Sequence, residues 1–226
     1  MHRAIINRSV QKGTKMAKLT KEIIKCAFCG AESEHEVFLS SSSFGGMDLD
    51  TRPTQFGRDN FNYEIQECPH CHYCNYRIDE ADAVPQIFGS DYLSVAHNVG
   101  IPNLAKRYLL AASLQNDCAE HYKAGEMYLK AAWAFDDVAD IKNAIEARKN
   151  AAICLKKHVE MTGDGDAAIM LVDILRRSGQ FDESLSWIDE IGDTEDELLN
   201  AVLAFEKNAC SEGDSSCHTM EEVENG

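Results

Sequence analysis

Two cysteine pairs, Cys26-Ala-Phe-Cys29 and Cys68-Pro-His-Cys71, are separated by 38 residues. They constrain the fold of this chain more than any other feature. Two residues between cysteines let one tight turn aim both sulfurs at a single ion while amides of the turn donate to the thiolates. Two such turns close a tetrahedral four-sulfur shell of the kind zinc prefers. Gly30 after the first pair and Pro69 inside the second suit the turns. The expected ligands are therefore Cys26, Cys29, Cys68 and Cys71, holding Zn2+, with Fe in a rubredoxin-like shell as the alternative. A closed shell leaves no position for water, which makes the site structural rather than catalytic. His70, His72 and Cys74 sit beside the second pair and are read as supporting or surface groups. Replacement of Cys71 by Cys74, or coordination by His72, stays open.

The nine cysteines are odd in number, and a chain of 226 residues is too long to need disulfide staples. The N-terminus lacks an apolar leader, so metal binding in a reducing cytoplasmic compartment is expected. No apolar run approaches the roughly 18–20 residues of a membrane span. Charge narrows the partners. Residues 1–30 carry seven basic side chains against Glu22 alone, whereas residues 91–226 carry 12 basic against 26 acidic. So acidic a body repels polyphosphate, which disfavours nucleic acid and anionic membranes.

The expected architecture is α+β: a small N-terminal β-rich zinc ribbon followed by an all-α, tetratricopeptide-like domain. Residues 1–18 read as a basic flexible lead, 19–90 as the ribbon-like module, 91–210 as the helical domain and 211–226 as an acidic, fraying tail. Phe61, Tyr63 and Ile65 alternate with polar residues as in a half-buried strand, and Val37-Phe38-Leu39 is a second candidate. Asp117 is a candidate N-cap for a helix with two apolar stripes, through Cys118, Tyr122, Gly125, Leu129 and Ala132, and through Ala124, Tyr128, Ala131 and Phe135. A further helix spans about Asp140 to Val159, and Thr162-Gly-Asp-Gly165 breaks it. Thr194-x-x-Glu197 has the form of a capping box for the last one. Leu171, Leu175, Gly179, Phe181, Ser184, Ile188 and Ile191 follow tetratricopeptide spacing. Tyr122 and Phe181 are 59 residues apart, which makes any array irregular.

Several stretches together resemble the bacterial domain-of-unknown-function family 2225. They are the paired knuckles, Asp48-Leu-Asp-Thr-Arg-Pro53, Tyr122-x-Ala-Gly-x-x-x-x-x-Ala-Ala-Trp133 with Asp136-Asp137, and Asp214-x-x-Cys217-His218-Thr219. The resemblance spans roughly residues 20–220. It implies a zinc-ribbon-like segment joined to tetratricopeptide-like helices, supports the four cysteine ligands and implies no established activity. His72 departs from the family, which often has Gly there.

Three functions follow. The leading one is a zinc-stabilised interaction protein whose helical surface takes a protein or peptide, basic by charge complementarity. An enzyme or redox protein would use the loop carrying Asp48, Asp50, Arg52, Arg58 and Asp59, whose carboxylates suit acid–base work or a hard cation. No serine–histidine triad, phosphate-binding glycine loop or metalloprotease motif accompanies it, so no catalytic residue is assigned. Nucleic-acid binding would use the basic arm and stacking by Tyr63, Tyr73 and Tyr76. Cys217 and His218 are read as having no ligand role, with a second metal site shared with Cys210, or a return to the ribbon, as the open alternatives.

Overall fold

The computed structural model describes residues 18–40, 46–53, 58, 60–81 and 90–225. The basic lead 1–17 and Asp59 lie outside them. Strands β1 (Lys18–Lys25) and β2 (Glu32–Ser40) form an antiparallel hairpin with Lys25 opposite Glu32 and Thr20 opposite Val37. A second, shorter hairpin pairs β3 (Gln66–Glu67) with β4 (Cys74–Asn75). Each cysteine pair lies in the turn of one hairpin. Val37-Phe38-Leu39 is indeed strand. β1 was not foreseen, because its mixed Lys-Leu-Thr-Lys-Glu run reads as an extension of the basic lead.

The strand expected at Phe61–Ile65 is corrected: Phe61–Glu64 is a single helical turn, α1. Residues 61 and 65 are separated by four, so both periods place them on one side. Burial of Phe61 against Trp133, with ring centroids 5.2 Å apart, selects the helical one.

The rest is helical: α2 (Ser90–Ala96), α3 (Asn103–Asp117), α4 (His121–Asp136), α5 (Ile141–Thr162), α6 (Gly165–Arg177), α7 (Phe181–Ile191), α8 (Glu197–Glu212) and α9 (Met220–Asn225). From α3 to α8 each helix packs on the next, and α6 also meets α8. Helix α4 lies between α3 and α5, which is why it needs two apolar stripes. Asp117 does not cap it. Asp117 instead ends α3, and the chain turns through Ala119 at φ 60° before α4 starts at His121. Asp140 caps α5 by accepting from the Asn143 amide, and Gly163 ends it at φ 71°. The cap of α8 is Asp196, whose carboxylate takes the Leu198 and Leu199 amides at 2.8 and 3.3 Å. Thr194 only braces that cap, its hydroxyl accepting from the Asp196 amide at 3.2 Å. The expected capping box is therefore corrected: the cap lies two residues later, at Asp196, and Glu197 is the first helical residue and not the third.

In the α6–α7 hairpin, Ser184 is fully buried and its hydroxyl donates to the Val172 carbonyl at 2.9 Å. Gly179 turns the chain at φ 77°. The stretch after Ser211 does not fray. Helix α8 continues to Glu212, and the Arg176 guanidinium then donates to the Asp214 and Ser216 carbonyls at 2.9 and 2.8 Å. One apolar cluster runs from Ile24 and Cys26 in the ribbon through α3–α7 to Leu203. Among the described residues, no helix is long and apolar enough to cross a membrane.

Helices α4 and α5 approach closely at Gly125, where a Cβ would lie 2.6 Å from Leu155 Cγ on α5. Leu155 is fully buried and has no room to retreat. Gly125→Ala should lower stability by about 1–3 kcal/mol, the cost of overpacking, measured as a reduced urea midpoint with unchanged slope.

Candidate metal centre

The two knuckles share one backbone design. In the first, the Cys26 amide donates to the Ala31 carbonyl and the Gly30 amide to the Cys26 carbonyl, at 2.8 and 2.9 Å. In the second, the Cys68 amide donates to the Tyr73 carbonyl and the His72 amide to the Cys68 carbonyl, at the same two distances. Gly30 and His72 are thus equivalent, and both have positive φ, 75° and 63°. Histidine keeps the glycine-type turn here because its ring is held from two sides. Nδ1 meets Glu67 Oε1 at 2.8 Å, and the ring lies edge-on to His97 at 5.0 Å.

Stacking the two turns brings the Sγ atoms of Cys26, Cys29, Cys68 and Cys71 within 4.8 Å of one another. Cys26 and Cys71 are 3.8 Å apart, and Cys29 and Cys68 are 3.6 Å apart. Sulfur–zinc bonds of about 2.3 Å in a tetrahedron give edges of about 3.8 Å, whereas a disulfide requires about 2.05 Å. The four sulfurs therefore fit one tetrahedral ion. Burial pushes the Cys26 thiol up, opposed by the amides of Cys29 and Phe28. Burial likewise raises Cys71 against the Tyr73 amide, whereas the Ala31 amide lowers Cys29. These aimed amides complement thiolate charge, and a cation at the centre offsets the remaining burial cost.

The other candidates fall elsewhere. Cys74 turns into the core, its sulfur 3.4 Å from the His72 carbonyl, and burial raises it well above the usual thiol range. His218 lies between Asp214 at 2.8 Å and Glu222 at 2.6 Å, against the Phe205 ring. Cys217 is exposed and outside the four-sulfur group. His70 is outside the four-sulfur group. Tyr73 is buried, with its hydroxyl on the Glu80 carbonyl. Tyr76 is engaged by Lys130 and Glu126, and Tyr63 meets the Phe38 ring. Tyr73 and Tyr76 are thus committed to internal contacts.

The loop between the knuckles has a different role from open acid–base chemistry. Asp48 through Arg52 make a tight turn, with the Asp48 amide on the Arg52 carbonyl at 2.8 Å and Thr51 at φ 68°. Its tip, Asp50, is fully buried. Asp50 Oδ2 accepts from Trp133 Nε1 at 2.9 Å, from Arg148 at 3.5 Å and from Arg177. Arg148 and Arg177 also hold Asp136, while Arg52 pairs with Asp137 at 2.6 Å and Arg58 with Asp48 at 3.4 Å. The back of the turn pairs with the C-terminal segment: the Leu49 amide donates to the His218 carbonyl and the Met220 amide to the Met47 carbonyl. Sequence reasoning missed Arg148 and Arg177, which lie 98 and 127 residues beyond Asp50. The Trp133 and Asp136-Asp137 motif was the available signal.

Replacing Asp50 with alanine leaves Arg148 and Arg177 to share Asp136 and strips the Trp133 indole N–H of its acceptor. It should cost about 3 kcal/mol, the low end for breaking a buried ion pair, read as a lower denaturation midpoint together with a shift in Trp133 emission. His72→Gly removes strain and the Glu67 contact together. Metal content should stay unchanged and stability should move by less than about 1 kcal/mol; loss of metal would make His72 a ligand.

A family model described as an uncharacterised protein conserved in bacteria (DUF2225) matches residues 19–204. No curated protein and no solved structure matched the chain.

Proposed function

Because the chain belongs to DUF2225, a family of uncharacterised bacterial proteins, we propose from its own geometry that it is an interaction protein stabilised by structural zinc. The observation that carries this reading is the four-sulfur cluster at tetrahedral spacing. With all four positions taken by cysteine, the ion organises the ribbon and has no place for a substrate. Zinc rather than iron is the reading, since the ion has only to close the shell.

The helical stack supplies the binding surface. Its hairpins are tetratricopeptide-like in the α6–α7 pair, and stacked helix pairs form extended surfaces by geometry. The charge of −14 over residues 91–226 selects a basic protein or peptide. A cytoplasmic setting suits reduced, metal-bound cysteines. Catalysis through the Asp48–Arg52 turn is disfavoured by a specific fact: both carboxylates are buried in ion pairs and close packing.

Protein purified without chelator should carry one zinc per chain and no visible iron–thiolate absorption, and Cys68→Ser should lose the metal. Binding of a basic partner captured from the native host should weaken as salt rises, because exposed charges are screened beyond about 8–10 Å. Turnover of a small molecule by metal-replete protein, abolished by Asp48→Asn with metal retained, would overturn the reading.

A further inference from the structure

Among the described residues the ribbon's two hairpins are separate sheets, with β2 paired to β1 and β3 to β4. A groove of about 420 Å³ lies between β2 and the 62–69 segment, lined by Glu34, His35 and Glu36 on one wall and Gln66 and Glu67 on the other, with Arg107 beside them. Two strand edges facing one gap form a template for an added strand.

We infer that this groove binds an extended, basic protein segment that adds as a strand alongside β2, making the ribbon a second contact surface distinct from the helical stack. Side chains two apart in a strand lie on one face, about 6.6–7 Å from each other. Glu34 and Glu36 are such a pair, and both are exposed. Lysines or arginines at alternate positions of an incoming strand therefore meet both carboxylates in register. The competing charges are already engaged. Arg107 donates to the Asn62 and Ile65 carbonyls at 3.2 and 2.8 Å. Burial, and then Arg107, hold His35 below its usual range and so neutral. Lys21 bonds Glu34 from the β1 side, but that pair is solvent-exposed and worth little.

The test uses full-length, metal-replete protein and two short peptides of equal charge, one alternating threonine and lysine and one with the lysines in a single block. The alternating peptide should perturb amide signals of residues 33–37 and 66–67 and bind more tightly than the block peptide. Glu34→Gln with Glu36→Gln should weaken its binding about fivefold, the scale of two cross-strand charge pairs. Glu36→Gln alone, which leaves the Lys21–Glu34 pair intact, should give about half of that effect on a logarithmic scale. Glu221→Gln with Glu222→Gln, which removes equal charge from α9, should leave binding unchanged. Equal affinity for the two peptides, perturbations confined to the helices, or equal weakening by the α9 variant would each overturn the inference and reduce the effect to general attraction by an acidic protein. The helical-surface reading would survive that result, since it concerns α3–α8.

Discussion

A single buried carboxylate determines how this molecule is put together. Asp50 stands at the tip of a tight turn and is reached by donors from three consecutive helices, α4, α5 and α6. Moving an ionised carboxylate out of water costs several kcal/mol, a cost offset only where geometry supplies charge and hydrogen bonds together. Here two guanidiniums and an indole N–H supply both. Such a network adds little net stability over well-packed apolar side chains. It is selective, because any other seating of the loop removes one of the two carboxylates, Asp50 and Asp136, that Arg148 and Arg177 share. Asp50 therefore fixes the register between ribbon and helices.

The ribbon needs such fixing because its own apolar content is small. Within the hairpins and the segments flanking β3 and β4, Ile24, Val37, Ile65, Tyr73 and Ile78 are the buried apolar side chains besides the cysteines, too few to hold two short hairpins together in water. Two other sources of order act on it. The four-sulfur centre ties the tips of the hairpins to each other. A second polar knot ties their flank to α4: Lys130 reaches Glu64 and Glu126 at 3.2 Å each and the Tyr76 hydroxyl at 3.2 Å. Arg176 does the same for the C-terminal segment, bonding Asp173 and Glu206 at 2.6 Å while gripping two backbone carbonyls beyond α8. Burial holds the Asp173 carboxyl above the usual range, which eases the crowding of two acids around one guanidinium.

What the sequence made legible follows the range of each interaction. The cysteine pairs were readable because a C-x2-C turn is local chemistry, and only the meeting of the two turns depends on tertiary structure. The helix limits at Asp140 and Gly163 were readable for the same reason. Readings failed where a local signal was ambiguous and a distant contact decided. Phe61 and Ile65 satisfy strand and helix periods alike, and Trp133 decides between them. Thr194 and Asp196 are both good caps, and the carboxylate prevails. The Asp48–Pro53 turn was marked as a candidate site for its carboxylates, yet nothing near it in sequence reveals two arginines about a hundred residues away. A buried ion pair and an exposed acid–base pair have the same composition. Only burial separates them.

This arrangement makes metal affinity a property of the whole fold. An ion that binds the assembled knuckles and not the separated ones stabilises every state in which they are assembled. Asp50 and Lys130 bind the same assembled ribbon from the helical side. By linkage, their contacts favour the metal-bound form, and the metal in turn favours their contacts. The continuous apolar cluster from Ile24 to Leu203 carries that coupling through packed side chains. The C-terminal segment shares in this arrangement, because its backbone pairs with the Asp50 turn at Leu49 and Met47. The six-residue turn Asp48 to Pro53, which lies between the two knuckles in sequence, is thus seated at once on three helices and on the C-terminal segment.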